Sequence, residues 1–185
     1  MSKRGRPTEA ERAARRDRVL DAAVAVFAAH GFGATSLDLI ASTAGVTKRT
    51  LYVDVGDKAA LFAAAVDREH DRIRAVAEGP LVDVAAEVVH VLHSEPAVAL
   101  HRSVIAEAVR FPALAADFYD RGPAHSVDVL ARALPEGAAA HHLATALYAL
   151  LLGEPHRRRL LGLDPAPSRE AATAHARSAL ALLGL

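Results

Sequence analysis

The sequence contains no cysteine. It therefore has neither a disulfide framework nor a thiolate site, a composition that suits a reducing compartment. It also lacks net charge, with 22 basic and 22 acidic residues, so the total points to no polyanionic partner. Lysine is scarce beside arginine and alanine is abundant, both read as compositional bias. No apolar run approaches the roughly 18 residues needed to cross a bilayer, and the charged N-terminal stretch has no apolar segment behind it. A soluble, cytoplasmic protein without a membrane partner is expected. Period-two alternation, internal repeats and low-complexity tracts are missing as well. Glycine-rich phosphate loops and Ser-His-Asp or paired-carboxylate spacings are not found, and no histidine pair sits at i, i+4 with a carboxylate on its face. Neither an enzyme, a cofactor nor a metal site is expected.

What remains is helical. At 185 residues and 52 % hydrophobic, the chain can bury a sizeable core. Val19, Ala22, Ala23, Val26 and Phe27 share one face of a helix over 9–30, with Thr8 and Glu11 as a capping box and Gly31 as its stop. Short helices are predicted over 36–44 and 47–53. A longer one over 57–78 carries the stripe Leu61, Phe62, Ala65, Val66, Ile73 and Val76 and ends at Gly79-Pro80. Further helices are predicted at 81–93, 96–110, 113–133 (bent by Gly122-Pro123), 138–153 and 168–183.

Residues 37–53 have helix-turn-helix spacing. Leu37, Ile40, Ala41 and Ala44 give the first helix an inward face, Gly45 ends it, Val46 plugs the corner and Thr47 caps the next helix. With Leu51 turned inward, Lys48, Arg49, Thr50 and Tyr52 are left outside, where such side chains reach bases and phosphates. The charge distribution agrees: residues 1–58 hold ten Lys or Arg against seven acids, and the first eighteen hold seven against three. Ahead of the first helix, KRGRP places Arg4 and Arg6 where an extended basic arm can enter a narrow minor groove, or where a merely soluble tail would lie.

Residues 18–62, RVLDAAVAVFAAHGFGATSLDLIASTAGVTKRTLYVDVGDKAALF, resemble the N-terminal DNA-binding domain of the TetR family of transcriptional regulators. The resemblance includes Gly31-Phe32, Thr35-Ser36, Ile40-Ala41, Ala44-Gly45-Val46, Leu51-Tyr52 and Gly56-Asp57-Lys58. Residues 102–119 resemble a recurring segment of the family's C-terminal domains. The resemblance implies an all-α fold of about nine helices, with an arm and helix-turn-helix domain over 1–56 and a ligand-binding and dimerisation domain over 57–185. It implies that Thr35 or Ser36 offers a hydroxyl or a helix N-terminus to phosphate. Thr47, Lys48, Arg49 and Thr50 would face the major groove, and Tyr52 and Lys58 would clamp phosphates. Where the family commonly has a histidine and an aromatic residue, this chain has Asp54 and Val55. An acid there weakens backbone binding unless it caps or pairs locally.

In the larger domain, His101 lies within the stripe Val98, Val104, Ile105 and Ala108, and His125 shares a face with Leu114, Phe118 and Val129. Such histidines serve a core hydrogen bond or a ligand pocket. His101, Val104, Ile105, Phe118, His125 and Leu147 are the candidate pocket residues for a small apolar or amphipathic effector. His93 lies off its helix's stripe, and the run His156 to Arg159 reads as a solvated helix end. Leu143, Leu147 and Leu150, with Ala172, Ala176, Ala179, Leu180 and Leu183, form small-residue stripes suited to a homodimer interface. The expected function is a ligand-responsive repressor binding a palindromic operator on double-stranded DNA. The alternative is a constitutive or architectural DNA-binding protein without an effector.

Overall fold

The computed structural model describes residues 8–135 and 137–185, and among them the fold is all-α. The helices are α1 (Glu9–Ala34), α2 (Leu37–Ala44), α3 (Lys48–Asp54), α4 (Lys58–Ala75), α5 (Leu81–Leu92), α6 (Glu95–Glu107), α7 (Pro112–Tyr119), α8 (His125–Ala133), α9 (Ala140–Leu160) and α10 (Arg169–Leu182). A π-helical turn, Asp120–Ala124, joins α7 to α8 as one rod. Counting that rod once gives, among the described residues, the nine helices expected.

Local chemistry sets most of the boundaries. Thr8 and Glu11 form a reciprocal capping box at the start of α1. The side chains of Ser36, Thr47, Asp57, Ser94 and Ser168 each accept an N–H from the first turn of the helix they precede, satisfying donors that a helix leaves open. Gly45 closes α2 at φ 66°, ψ 33°, a left-handed conformation that costs a β-carbon-bearing residue about 1 kcal/mol. Two helices run past their expected ends. α1 breaks at Gly31 as anticipated but gains a further turn to Ala34. α9 breaks at Gly153, and Pro155 then opens a last turn that reaches Leu160, proline being well suited to a helix's first turn.

Two cores result. The first gathers Val19, Ala23, Phe27, Phe32, Ile40, Leu51, Leu61, Phe62 and Val66 with Leu100 and Val104 of α6 and Leu114 of α7. Phe27, Phe32, Phe62 and Phe111 pack together, mostly edge to face, at ring separations of 5.1 to 5.8 Å, so Phe111 carries the start of α7 onto the helix-turn-helix. The second core is built from Ile73, α5, Val129, Leu130, Leu147, Leu151 and the inner face of α10. The division between cores falls inside α4, after Val66 and before Ile73, and not at its start. The first core is completed by α6 and α7, which lie in sequence beyond the expected boundary at 56/57.

Candidate functional site

α3 carries the residues expected at the recognition surface. Leu51 is fully buried and anchors it, while Tyr52 is 62 % and Val53 74 % exposed. Lys48 and Arg49 are exposed. Lys48 Nζ lies 2.9 Å from Asp38 Oδ2 on α2 in a solvent-facing pair, a contact weak enough for a phosphate or base to displace. Thr47 caps α3, accepting the Thr50 N–H at 3.1 Å, and the two threonine hydroxyls meet at 2.8 Å. Ser36 caps α2 from an exposed position. Asp54 is neutralised locally: Arg15 Nε donates to its Oδ2 at 2.8 Å with both side chains about a quarter exposed. The acid therefore ties α3 to α1 and carries no free negative charge toward a phosphate backbone.

Two expected phosphate contacts are spent inside the protein. Thr35 is buried, and its hydroxyl donates to the Gly31 carbonyl at 2.7 Å. Lys58 donates to the carbonyls of Phe32, Gly33 and Thr35 at 2.7, 3.2 and 2.9 Å and lies 4.5 Å from the Phe32 ring centroid. Its three protons close the C-terminal end of α1, where carbonyls have no helical partner. Burial lowers its pKa, with Glu107 opposing. Lys58 thus acts as a staple between α4 and the end of α1. Lys58→Met should cost about 2–3 kcal/mol of stability, read by urea unfolding. It should leave the slope of log affinity against log salt unchanged, whereas a phosphate ligand would lower it by about 1. Arg4 and Arg6 lie outside the described residues.

A narrow slot runs among α4, α5, α6, α7 and α9: its free interior is about 30 Å³, and only with the space of its open mouth included does it reach about 400 Å³. Val66, Glu69 and His70 of α4, Leu92 of α5, Ala97, Leu100 and His101 of α6, Phe118, Pro123 of the π turn, and Tyr148, Leu152 and His156 of α9 line it. His101 Nδ1 and His156 Nε2 are 3.1 Å apart, and the His101 ring leans on Phe118 at 5.3 Å. Behind them, His93 packs on His156 at 5.0 Å. Burial is the first cause of depression in both: His93 falls to about 4 and His156 to about 3. Burial also lowers His70 and His101 and raises Tyr148. All four imidazoles are neutral at pH 7. Among the described residues, no group of three or more His, Cys, Asp or Glu is arranged to hold a metal.

Residues 19–65 match the family model of bacterial regulatory proteins, tetR family, and residues 79–183 match that of the AefR-like transcriptional repressor C-terminal domain. The chain belongs to the TetR family of transcriptional regulators. It is 30 % identical to the flavonoid-responsive regulator FrrA, covering 92 % of this chain and 95 % of that one with a TM-score of 0.66. It is 25 % identical to a TetR-family regulator from Mesorhizobium loti MAFF303099, covering 95 % and 98 % with a TM-score of 0.67. It is also 40 % identical over 78 residues to the HTH-type transcriptional repressor ComR of Escherichia coli (strain K12). That match covers 42 % of this chain and 35 % of ComR, so the chain matches only about a third of the curated relative's length.

This TetR-family chain brings only part of the expected pocket together. His101 and Phe118 line the slot. Val104 instead points into the first core, Ile105 is 56 % exposed and Leu147 is fully buried in the second core. His125 has left the face of Phe118, because the π turn inserts an extra residue between them and rotates α8 about the rod's axis; its Nε2 accepts from Arg74 Nε at 3.0 Å. The expected dimer stripe is likewise used within the chain: Ala172, Ala176, Ala179 and Leu180 are buried in the second core, where α10 lies on α5, and Leu143, Leu150 and Leu183 are partly buried against it.

The slot residues that sequence reading missed had a signal. Glu69 and His70 occupy the positions between Val66 and Ile73 that complete the α4 stripe, passed over because they are polar. His156 and Arg159, three apart in a run read as solvated, both turn inward at 6 % and 4 % exposure. Arg159 satisfies its guanidinium on the His93 carbonyl at 2.9 Å and Glu95 at 2.7 Å.

Proposed function

We propose that the protein is a homodimeric repressor that binds a palindromic operator through two copies of α3 and releases it when a small molecule enters the slot. One observation carries the reading: α4 and α6 each serve two places at once. Val66 and Leu100 line the slot and also belong to the core beneath the helix-turn-helix. At the far end of α6, Glu107 Oε1 accepts the Gly33 N–H at 2.8 Å, which fastens α6 to the end of α1. A ligand that parts α4 from α6 displaces the base on which α2 and α3 stand. Two recognition helices must meet major grooves one helical turn, about 34 Å, apart, so a small tilt in each subunit is sufficient. A coupling of about 1–3 kcal/mol corresponds to a 5–150-fold change in affinity. FrrA's description as flavonoid-responsive supports a small-molecule effector over constitutive binding.

The subunits would meet through the outer faces of α9 and α10. Ala146 and Ala149 on α9, and Ala171, Ala174, Ser178 and Ala181 on α10, are exposed small residues that allow close helix approach.

On DNA, Lys48 and Arg49 read base edges, and Val53, exposed one turn after Arg49, suits a thymine methyl. Tyr52 and Ser36 hold phosphates. The test is selection of bound fragments from genomic DNA, with affinity then measured on the selected operator and on random DNA. Arg49→Ala should cost about 1–3 kcal/mol on the operator, relax preference at one base pair and leave random DNA less affected. Tyr52→Phe should weaken both alike. Uniform small losses for both variants would remove α3 from the recognition role.

A further inference from the structure

Resting on the reading of the slot as the effector site, we infer that the effector is an uncharged hydroxylated aromatic whose hydroxyl donates to Nε2 of His70. His70 is 3 % exposed. Its Nδ1 lies 2.9 Å from the Val66 carbonyl, and a carbonyl only accepts, so Nδ1 bears the proton. In the neutral ring Nε2 is then a bare acceptor, and it has no partner among the described residues. A buried acceptor left unsatisfied costs free energy that a donor-bearing ligand recovers.

The surroundings narrow the class. Gly122 makes room for the ring: a β-carbon there would lie 3.2 Å from His70 Cε1 and 3.3 Å from Nε2. The π turn that carries Gly122 also puts Pro123 into the slot wall. At the other side, His156 Nδ1 is buried and without a partner among the described residues, while its Nε2 faces His101. That nitrogen donates or accepts according to which histidine of the pair holds the shared proton. A hydroxyl satisfies either arrangement; a carboxylate satisfies one, and an ammonium the other. Glu69 adds a buried carboxylate to the lining, with Arg68 Nη2 at 3.4 Å as its ion-pair partner among the described residues, which repels an anionic head. Phe118, the leaning His101 ring and Tyr148 give flat walls suited to an aromatic body.

The test is calorimetric titration of the full chain at pH 7.5 with one scaffold and four heads: 4-phenylphenol, its methyl ether, biphenyl-4-carboxylate and biphenyl-4-methylammonium. The phenol is expected to bind at least tenfold more tightly than each of the others. His70→Phe, which keeps a ring but removes the acceptor, should bring phenol and ether within about twofold. Gly122→Ala, which crowds Nε2, should weaken the phenol at least fivefold. The phenol-to-ether comparison needs no variant and stands whether or not His70→Phe folds. Equal binding of phenol and ether, tighter binding of the carboxylate or ammonium, or no binding by any of the four overturns the inference. Affinity for DNA without ligand is measured in parallel. Its loss would sink the repressor reading while leaving the ranking of the four heads intact.

Discussion

Between pH 6.5 and 4.5 the protein is expected to lose about 4–5 kcal/mol of stability, a large part of the roughly 5–15 kcal/mol by which a native domain is stable. The cause is the buried imidazole stack. His93 and His156 are held neutral by burial down to about 4 and about 3, with Arg159 beside both, His175 opposing a charge on His93, and His93 and His101 opposing one on His156. In the unfolded chain both protonate near 6.5. Below that pH the unfolded state binds more protons than the native state, so stability falls with pH, by about 1.4 kcal/mol per unit for each group. The loss continues until the native pKa values are reached, and above pH 6.5 the two groups impose no pH dependence. The other depressed histidines, His70, His90, His101 and His125, add in the same direction. Denaturant unfolding at half-unit steps from pH 7.5 to 4.5 reads the slope directly. His156→Phe keeps the packing against His93 and His101 but removes one titrating group, and should flatten the slope by about 1.4 kcal/mol per unit. An unchanged slope would place the acid sensitivity elsewhere.

Ala176→Arg should abolish cooperative folding, while Ala174→Arg, two residues away, should leave the monomer folded and separate the subunits. Ala176 is fully buried within a single chain, in the core α10 shares with α5. A guanidinium there has neither room nor partner, and the cost exceeds about 4 kcal/mol. Ala174 faces solvent, so arginine costs the isolated chain less than about 0.5 kcal/mol but would be buried between subunits. Thermal unfolding combined with sedimentation distinguishes the outcomes. An Ala174→Arg protein that still sediments as a dimer moves the proposed interface away from the outer face of α10.

The contrast between these two alanines shows what was legible in the sequence. Helix periodicity finds the apolar stripe of α10 but cannot tell whether its counterpart is α5 or a second copy of the chain, since both demand small apolar residues. The helix-turn-helix was readable because local chemistry fixes it: Ser36, Thr47 and Asp57 cap the helices they precede, Gly45 takes positive φ, and all act within a few residues. The slot depends on partners far apart in the chain, such as His101 with His156 and His93 with Arg159. It depends also on the π turn, whose extra residue moved His125 off its expected face. Polarity misled at two points. Glu69 and His70 continue the α4 stripe while carrying polar heads, and Arg159 is buried because its guanidinium finds partners there. Lys58 misled differently, since the carbonyls that capture it come from the end of another helix.

The four-phenylalanine cluster limits how this protein can be recombined. Hybrid regulators are made by exchanging the reading head of one protein for that of another, which assumes the head is a transferable part. Here a junction at residue 57 would carry away Phe27 and Phe32 and leave behind Phe62 and Phe111, along with Leu61, Leu100 and Val104 that close the same core. The grafted head would meet whatever aliphatic surface the recipient offers in their place. A working chimera must therefore move those positions of α4, α6 and α7 together with residues 1–56, so the unit of exchange is discontinuous in sequence.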